Sequence, residues 1–140
     1  MNVNDSEIRS ILEKYKKFVV YGLSPDSSKP SQRVPLFMKS QGYEAVGTYP
    51  KESNIAGFSI YPDLKSVPSE YRRFVDVFRR SEQIPQVVDE VLAVGGVEVL
   101  WLQLGISHPE AEKKAEAAGL KVVSNRCLHI EFERLLGARR

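Results

Sequence analysis

Two periodicities take turns along this chain, and that alternation limits its possible folds more than any other feature. Helical spacing brings Ile8, Ile11, Leu12 and Tyr15 onto one stripe behind a capping Asn4 or Asp5. A short apolar run, Phe18-Val19-Val20-Tyr21-Gly22, follows and stops at glycine. The pair of patterns then recurs. Val34, Phe37 and Met38 share a helical face that ends at Gly42, and residues 45–49 read as a strand weakened by Gly47. Phe74-Val75-Asp76-Val77-Phe78 is a strand, and Ser81 precedes a helix carrying Ile84, Val87, Val88, Val91 and Leu92. Residues 97–104 form the most hydrophobic strand, residues 109–118 a helix, 120–123 the last strand, and 129–136 a terminal helix.

Strands alternating with helices of this length predict βαβ units. Near-continuous apolar strands predict a mostly parallel sheet covered on both faces. The expected architecture is therefore an α/β, Rossmann-like, doubly wound sheet of five strands. Val19, Val75, Val77, Leu100 and Leu102 are its expected buried core. Residues 50–71 are the least regular stretch, with a short strand around Phe58-Ser59-Ile60-Tyr61. With no linker or repeat, residues 1–140 read as a single domain.

Charge excludes several function classes. Twenty basic and 18 acidic side chains leave a net +2, too balanced for a nucleic-acid or membrane-surface protein. No apolar run approaches the ~20 residues of a membrane span, and the polar N-terminus is unlike a signal peptide, so a cytoplasmic location is expected. The single cysteine, Cys127, permits no intrachain disulfide, and two histidines give no metal cluster.

In a doubly wound sheet, ligands bind beyond the carboxyl ends of the strands, where strand order reverses. That rule selects Gly22-Leu23-Ser24-Pro25, Pro50-Lys51, Arg79-Arg80, Gln103-Leu104-Gly105 and Asn125-Arg126-Cys127. The first, a strand, a glycine and a polar loop opening a helix, is a layout that presents backbone N–H groups to phosphate. Its one glycine falls short of the three-glycine dinucleotide fingerprint. Lys29 and Arg33 flank the helix start and either add positive charge there or are simply solvated. Cys127, two residues from His129, invites a nucleophile reading, but no acidic partner is positioned by sequence, and a structural role is expected.

The blocks Ser24-Pro25, Ser28-Lys29-Pro30-Ser31 with Arg33-Val34, Asp76-Val77-Phe78-Arg79-Arg80-Ser81, Val99-Leu100-Trp101-Leu102-Gln103-Leu104-Gly105 and Asn125-Arg126-Cys127 together resemble the small stand-alone CoA-binding proteins. These are similar in turn to the CoA-binding N-terminal domain of the succinyl-CoA synthetase α subunit. The resemblance implies a module that holds coenzyme A or an acyl-CoA without independent catalysis. It implies Gly22, Ser24, Ser28, Lys29 and Arg33 around the phosphates and Pro50 and Lys51 near the nucleotide. It also implies Phe78 and Arg79 on the adenine side, with Gln103 and Asn125 facing the pocket. The chain departs from the family pattern at Tyr21, at Gly47-Thr48-Tyr49-Pro50, at Phe58-Ser59-Ile60 and at Phe132. An alternative reading follows: a diverged or redesigned member in which Tyr21, Tyr49, Phe58 and Ile60 reshape the pocket or surface. Such a member would serve another ligand, a catalytic activity or a protein partner.

Overall fold

The computed structural model describes residues 3–137. Helix α1 (Asp5–Lys14) opens with a reciprocal cap: Glu7 N–H donates to Asn4 Oδ1, and Asn4 N–H donates back to Glu7 Oε1. Its stripe of Ile8, Ile11 and Leu12 is buried. The helices α2 (Pro30–Ser40), α4 (Ile84–Val94), α5 (Pro109–Ala117) and α6 (Leu128–Leu135) follow, with a single turn, α3 (Ser69–Arg72), between the first two.

The strands are β1 (Lys17–Tyr21), β2 (Glu44–Thr48), β3 (Asn54–Ile55), β4 (Phe58–Tyr61), β5 (Phe74–Val77), β6 (Val99–Leu102) and β7 (Lys121–Val123). They form one sheet in the order β3-β4-β2-β1-β5-β6-β7. All pairings are parallel except β3 with β4. The described sheet thus has seven strands, not the five expected. β4 joins by pairing Gly47 with Ile60 and Thr48 with Tyr61, and β3 folds back on β4 as an antiparallel edge. A two-residue strand has no periodicity to read, so β3 left no signature in the sequence.

Without β3, the six parallel strands lie in the order third, second, first, fourth, fifth, sixth. This is the order of Rossmann dinucleotide-binding sheets, with the reversal between β1 and β5. One buried cluster joins α1, α2 and α6 to the sheet through Phe18, Val20, Phe74 and Trp101. The other joins α4 and α5 through Val19, Val75, Val77, Leu100 and Leu102, all five fully buried as expected.

Gly47 does not break β2. A Cβ there would lie 2.7 Å from the Leu23 Cβ and 3.0 Å from the Ile60 Cδ1, so the bare backbone is what lets fully buried Leu23 sit on the sheet. Phe58 and Ile60 are likewise core residues, packed in the α1/α2/α6 cluster.

Candidate functional site

The crevice at the reversal is built where β1 and β5 end. Phe78 N–H bonds to the Tyr21 carbonyl and so carries the pairing one step past β5. Gly22 then turns with φ +91°, and a Cβ on it would meet the Phe78 carbonyl oxygen at 3.0 Å and Arg79 Nε at 3.4 Å. Only glycine satisfies both the positive φ and the close approach.

The loop after Gly22 is tied down along its length. Gly22 N–H donates to Thr48 Oγ1 and Leu23 N–H to the Thr48 carbonyl, both at 3.1 Å. Ser24 N–H donates to Ser31 Oγ, while Gln32 Nε2 donates to the Ser24 carbonyl. Asp26 accepts from both the backbone and the hydroxyl of Ser28, which holds its carboxyl below the usual range. The N–H groups expected to meet a phosphate at residues 22–24 are therefore already engaged. At the start of α2, Pro30 has no N–H, and those of Gln32 and Arg33 both bond to the Lys29 carbonyl. The loop is held by these bonds, and the charged groups beside it are side chains.

Those side chains line two hollows that share Pro30 and Phe78. A basic one of about 420 Å³ adds Lys29, Ser31, Arg79, Arg80 and Ile106. A larger one of about 520 Å³ runs between α2 and α6 and adds Arg33, Val34, Phe37, Gln103, Leu104, Cys127, His129 and Ile130. Arg79 leans over the Tyr21 ring at 5.6 Å, and Arg80 is an exposed side chain 3.5 Å from Glu82. Across the larger cleft, the His129 imidazole stacks on Phe37 with centroids 3.5 Å apart, joining α6 to α2. Gln103 is buried, and its Oε1 accepts from Leu128 N–H at the start of α6.

The structure thus brings together Lys29, Arg33, Phe78, Arg79 and Gln103 in the linings, with Gly22 directly beneath Phe78 and Arg79. Ser24 serves the loop frame from beside them. Ser28, Pro50, Lys51 and Asn125 line neither hollow. Asn125, at φ +58°, instead accepts from Gly105 N–H and ties two loops together. Tyr21, Tyr49, Phe58 and Ile60 also lie outside both linings. Tyr21 projects to the opposite face, where its hydroxyl donates to Glu90, and burial pushes its pKa up. The departures act on the hollows from behind their linings: Tyr21 lies under Arg79, Thr48 holds the Gly22 turn, and Phe132 packs edge-on against Phe37.

Sequence reasoning selected the segments holding Val34 and Leu104 but not the apolar wall that they form with Phe37 and Ile130. Leu104 and Ile130 are 61% and 51% exposed, an uncommon placement for large aliphatic side chains and the one available clue. It also missed Asp76, two residues before Phe78 and fully buried. Neither carboxyl oxygen has a partner among the described residues, and desolvation raises its pKa well above the usual range. Cys127 is half-buried at the start of α6. Among the described residues no cluster of His, Cys, Asp and Glu could hold a metal ion, and no helix is long and apolar enough to cross a membrane.

The family described as the CoA binding domain matches residues 16–133, which include every wall of this crevice. The chain belongs to this family. Among its relatives is the uncharacterized protein YneT of Bacillus subtilis (strain 168), 32% identical over 129 residues that span 92% of this chain and 94% of YneT. A hypothetical protein from Pyrococcus horikoshii OT3 has the same fold, with a TM-score of 0.88 at 34% identity, over 96% of this chain and 94% of that one. Prb, the PH1109 protein redesigned for binding, superimposes with a TM-score of 0.89 at 32% identity, over 97% and 94% of the two chains. In this member of the CoA-binding domain family, the crevice lies beyond the carboxyl ends of the strands, where their order reverses.

Proposed function

We propose that this chain binds coenzyme A or an acyl-CoA in the crevice between β1 and β5, in the cytoplasm and as a single domain without chemistry of its own. One observation carries the reading. A basic hollow and a mainly apolar cleft meet at Pro30 and Phe78, at the reversal of strand order. Coenzyme A has the matching division: a charged nucleotide diphosphate at one end and a largely uncharged arm at the other. Lys29, Arg79 and Arg80 supply charge for the phosphates, and the positive end of the α2 dipole adds to it. Phe78 offers a ring to the nucleotide, while Arg33 and Gln103 present polar groups to the arm.

Calorimetric titration of coenzyme A tests this against the parent, Lys29→Gln and Arg79→Gln. Each substitution removes a charge-assisted contact in a partly shielded site, so each weakens binding about tenfold, and affinity falls as salt rises. Equal affinity in all three proteins, or no binding to the parent, refutes the proposal. The Gly22→Val variant is a poor probe because its clash with Phe78 disturbs the fold itself.

A further inference from the structure

We infer that Tyr21 is a positioning residue for the phosphates: it holds the Arg79 guanidinium in the rotamer that meets them and acts through that arginine alone. This rests on the CoA reading above. Three cations line the basic hollow, and they are not equivalent. Lys29 and Arg80 are exposed, and Arg80 lies 3.5 Å from the Glu82 carboxylate. Arg79 is half-buried and has no carboxylate partner among the described residues. Its charge is left for a ligand.

Two consecutive residues at the end of β1 grip the guanidinium instead. A Cβ on Gly22 would lie 3.4 Å from Arg79 Nε and 3.5 Å from its Cζ, so the arginine packs against the bare glycine. The Tyr21 ring lies 5.6 Å from Arg79 Cζ, within the range of attraction between a cation and a ring face. That ring is itself fixed. Its hydroxyl donates to Glu90 Oε1 on α4, and Glu90 Oε2 accepts from Leu64 N–H. Arg79 also separates the basic hollow from a polar one of about 260 Å³ lined by Tyr21, Gln83 and Gln86. Released from the ring, the guanidinium can swing to those two carboxamides, away from the phosphates. An aliphatic side chain at position 21 would offer no negative ring face to hold it. An arginine already fixed also has less rotamer freedom to lose on meeting an anion. The ring contact favours the binding rotamer by about two- to fivefold at a partly exposed site, and apparent affinity follows that population.

Calorimetric titration of coenzyme A into the parent, Tyr21→Leu, Tyr21→Phe, Arg79→Gln and the Tyr21→Leu/Arg79→Gln double variant measures the coupling. Tyr21→Leu is expected to weaken binding about threefold, and Tyr21→Phe, which keeps the ring, by less than about 1.5-fold. With Arg79 already replaced, Tyr21→Leu should cost less than about 1.5-fold more, a result that a merely structural role for Tyr21 would not give. Circular dichroism checks each fold, and Tyr21→Met, ringless and unbranched, stands in if the leucine variant does not fold. Three outcomes overturn the inference: Tyr21→Leu binding as the parent does, Tyr21→Phe as weak as Tyr21→Leu, or an equal loss in both arginine backgrounds. In each, a parent that binds CoA and is weakened by Arg79→Gln leaves the CoA reading standing. Failure of the parent to bind CoA overturns both.

Discussion

Replacing Gly47 by alanine adds one methyl group, and the structure says where its cost falls. That carbon would sit 2.7 Å from the Leu23 Cβ and 2.8 Å from the Leu23 Cδ1. The Cδ1 can rotate away, but the Cβ is fixed to the backbone, so the Gly22–Leu23 turn itself has to move. The turn is held to β2 by two hydrogen bonds onto Thr48, both strained by such a shift. Overpacking of this kind costs roughly 1–3 kcal/mol, and weakening the two bonds adds about 1 kcal/mol more. For a chain of this size the sum lowers Tm by on the order of 10 °C. Gly42→Ala is the control. Gly42 has φ +96° and open space where a Cβ would go, so alanine there carries only left-handed backbone strain, about 1–2 kcal/mol. Thermal and urea unfolding of the two variants should rank Gly47→Ala as the more damaging. A Gly47→Ala protein as stable as the parent, or no worse than Gly42→Ala, refutes the argument that close approach, rather than backbone conformation, demands glycine in β2.

Thr48→Val keeps the side-chain shape but removes the acceptor for the buried Gly22 N–H, and should lower unfolding free energy by about 1–3 kcal/mol in urea titrations. Desolvation raises the Asp76 pKa well above the usual aspartate range, so the folded protein keeps this proton to higher pH than the unfolded chain does. Its contribution to stability is therefore full below that range and is lost as pH rises towards the folded pKa, by about 1.4 kcal/mol per pH unit. Urea unfolding between about pH 5 and about pH 8 should show a shallower loss in Asp76→Asn than in the parent, and parallel curves would refute this. Cys127→Ser should leave CoA affinity within about threefold, since Cys127 is one contact among many in the cleft lining. Stoichiometric acylation of Cys127 by an activated ester, abolished in His129→Ala, would instead make it a nucleophile.

Much of this protein was legible in the sequence because local rules govern the parts concerned. The capping Asn4, the buried stripe of α1, the mostly apolar central strands and the glycine ending β1 each follow from spacing and residue type within a few positions. Strand alternation pointed to the loops beyond the strand ends, and of the residues selected there or by the family resemblance, Lys29, Arg33, Phe78, Arg79 and Gln103 line the two hollows. Tertiary structure alone decided what those positions can do. Whether the N–H groups of Gly22, Leu23 and Ser24 stay open depends on Thr48 and Ser31, residues that only the fold brings against the turn. Whether Tyr21 enters the cleft depends on the face of β1 it occupies, and it lies on the face covered by α4. Leu104 and Ile130 become one wall only when the end of β6 meets the start of α6, some 25 residues later in the chain, as the bond from Leu128 N–H to Gln103 Oε1 records. Periodicity is a property of neighbours in sequence. A hydrogen bond already taken, or a side chain turned to the other face, is a property of neighbours in space.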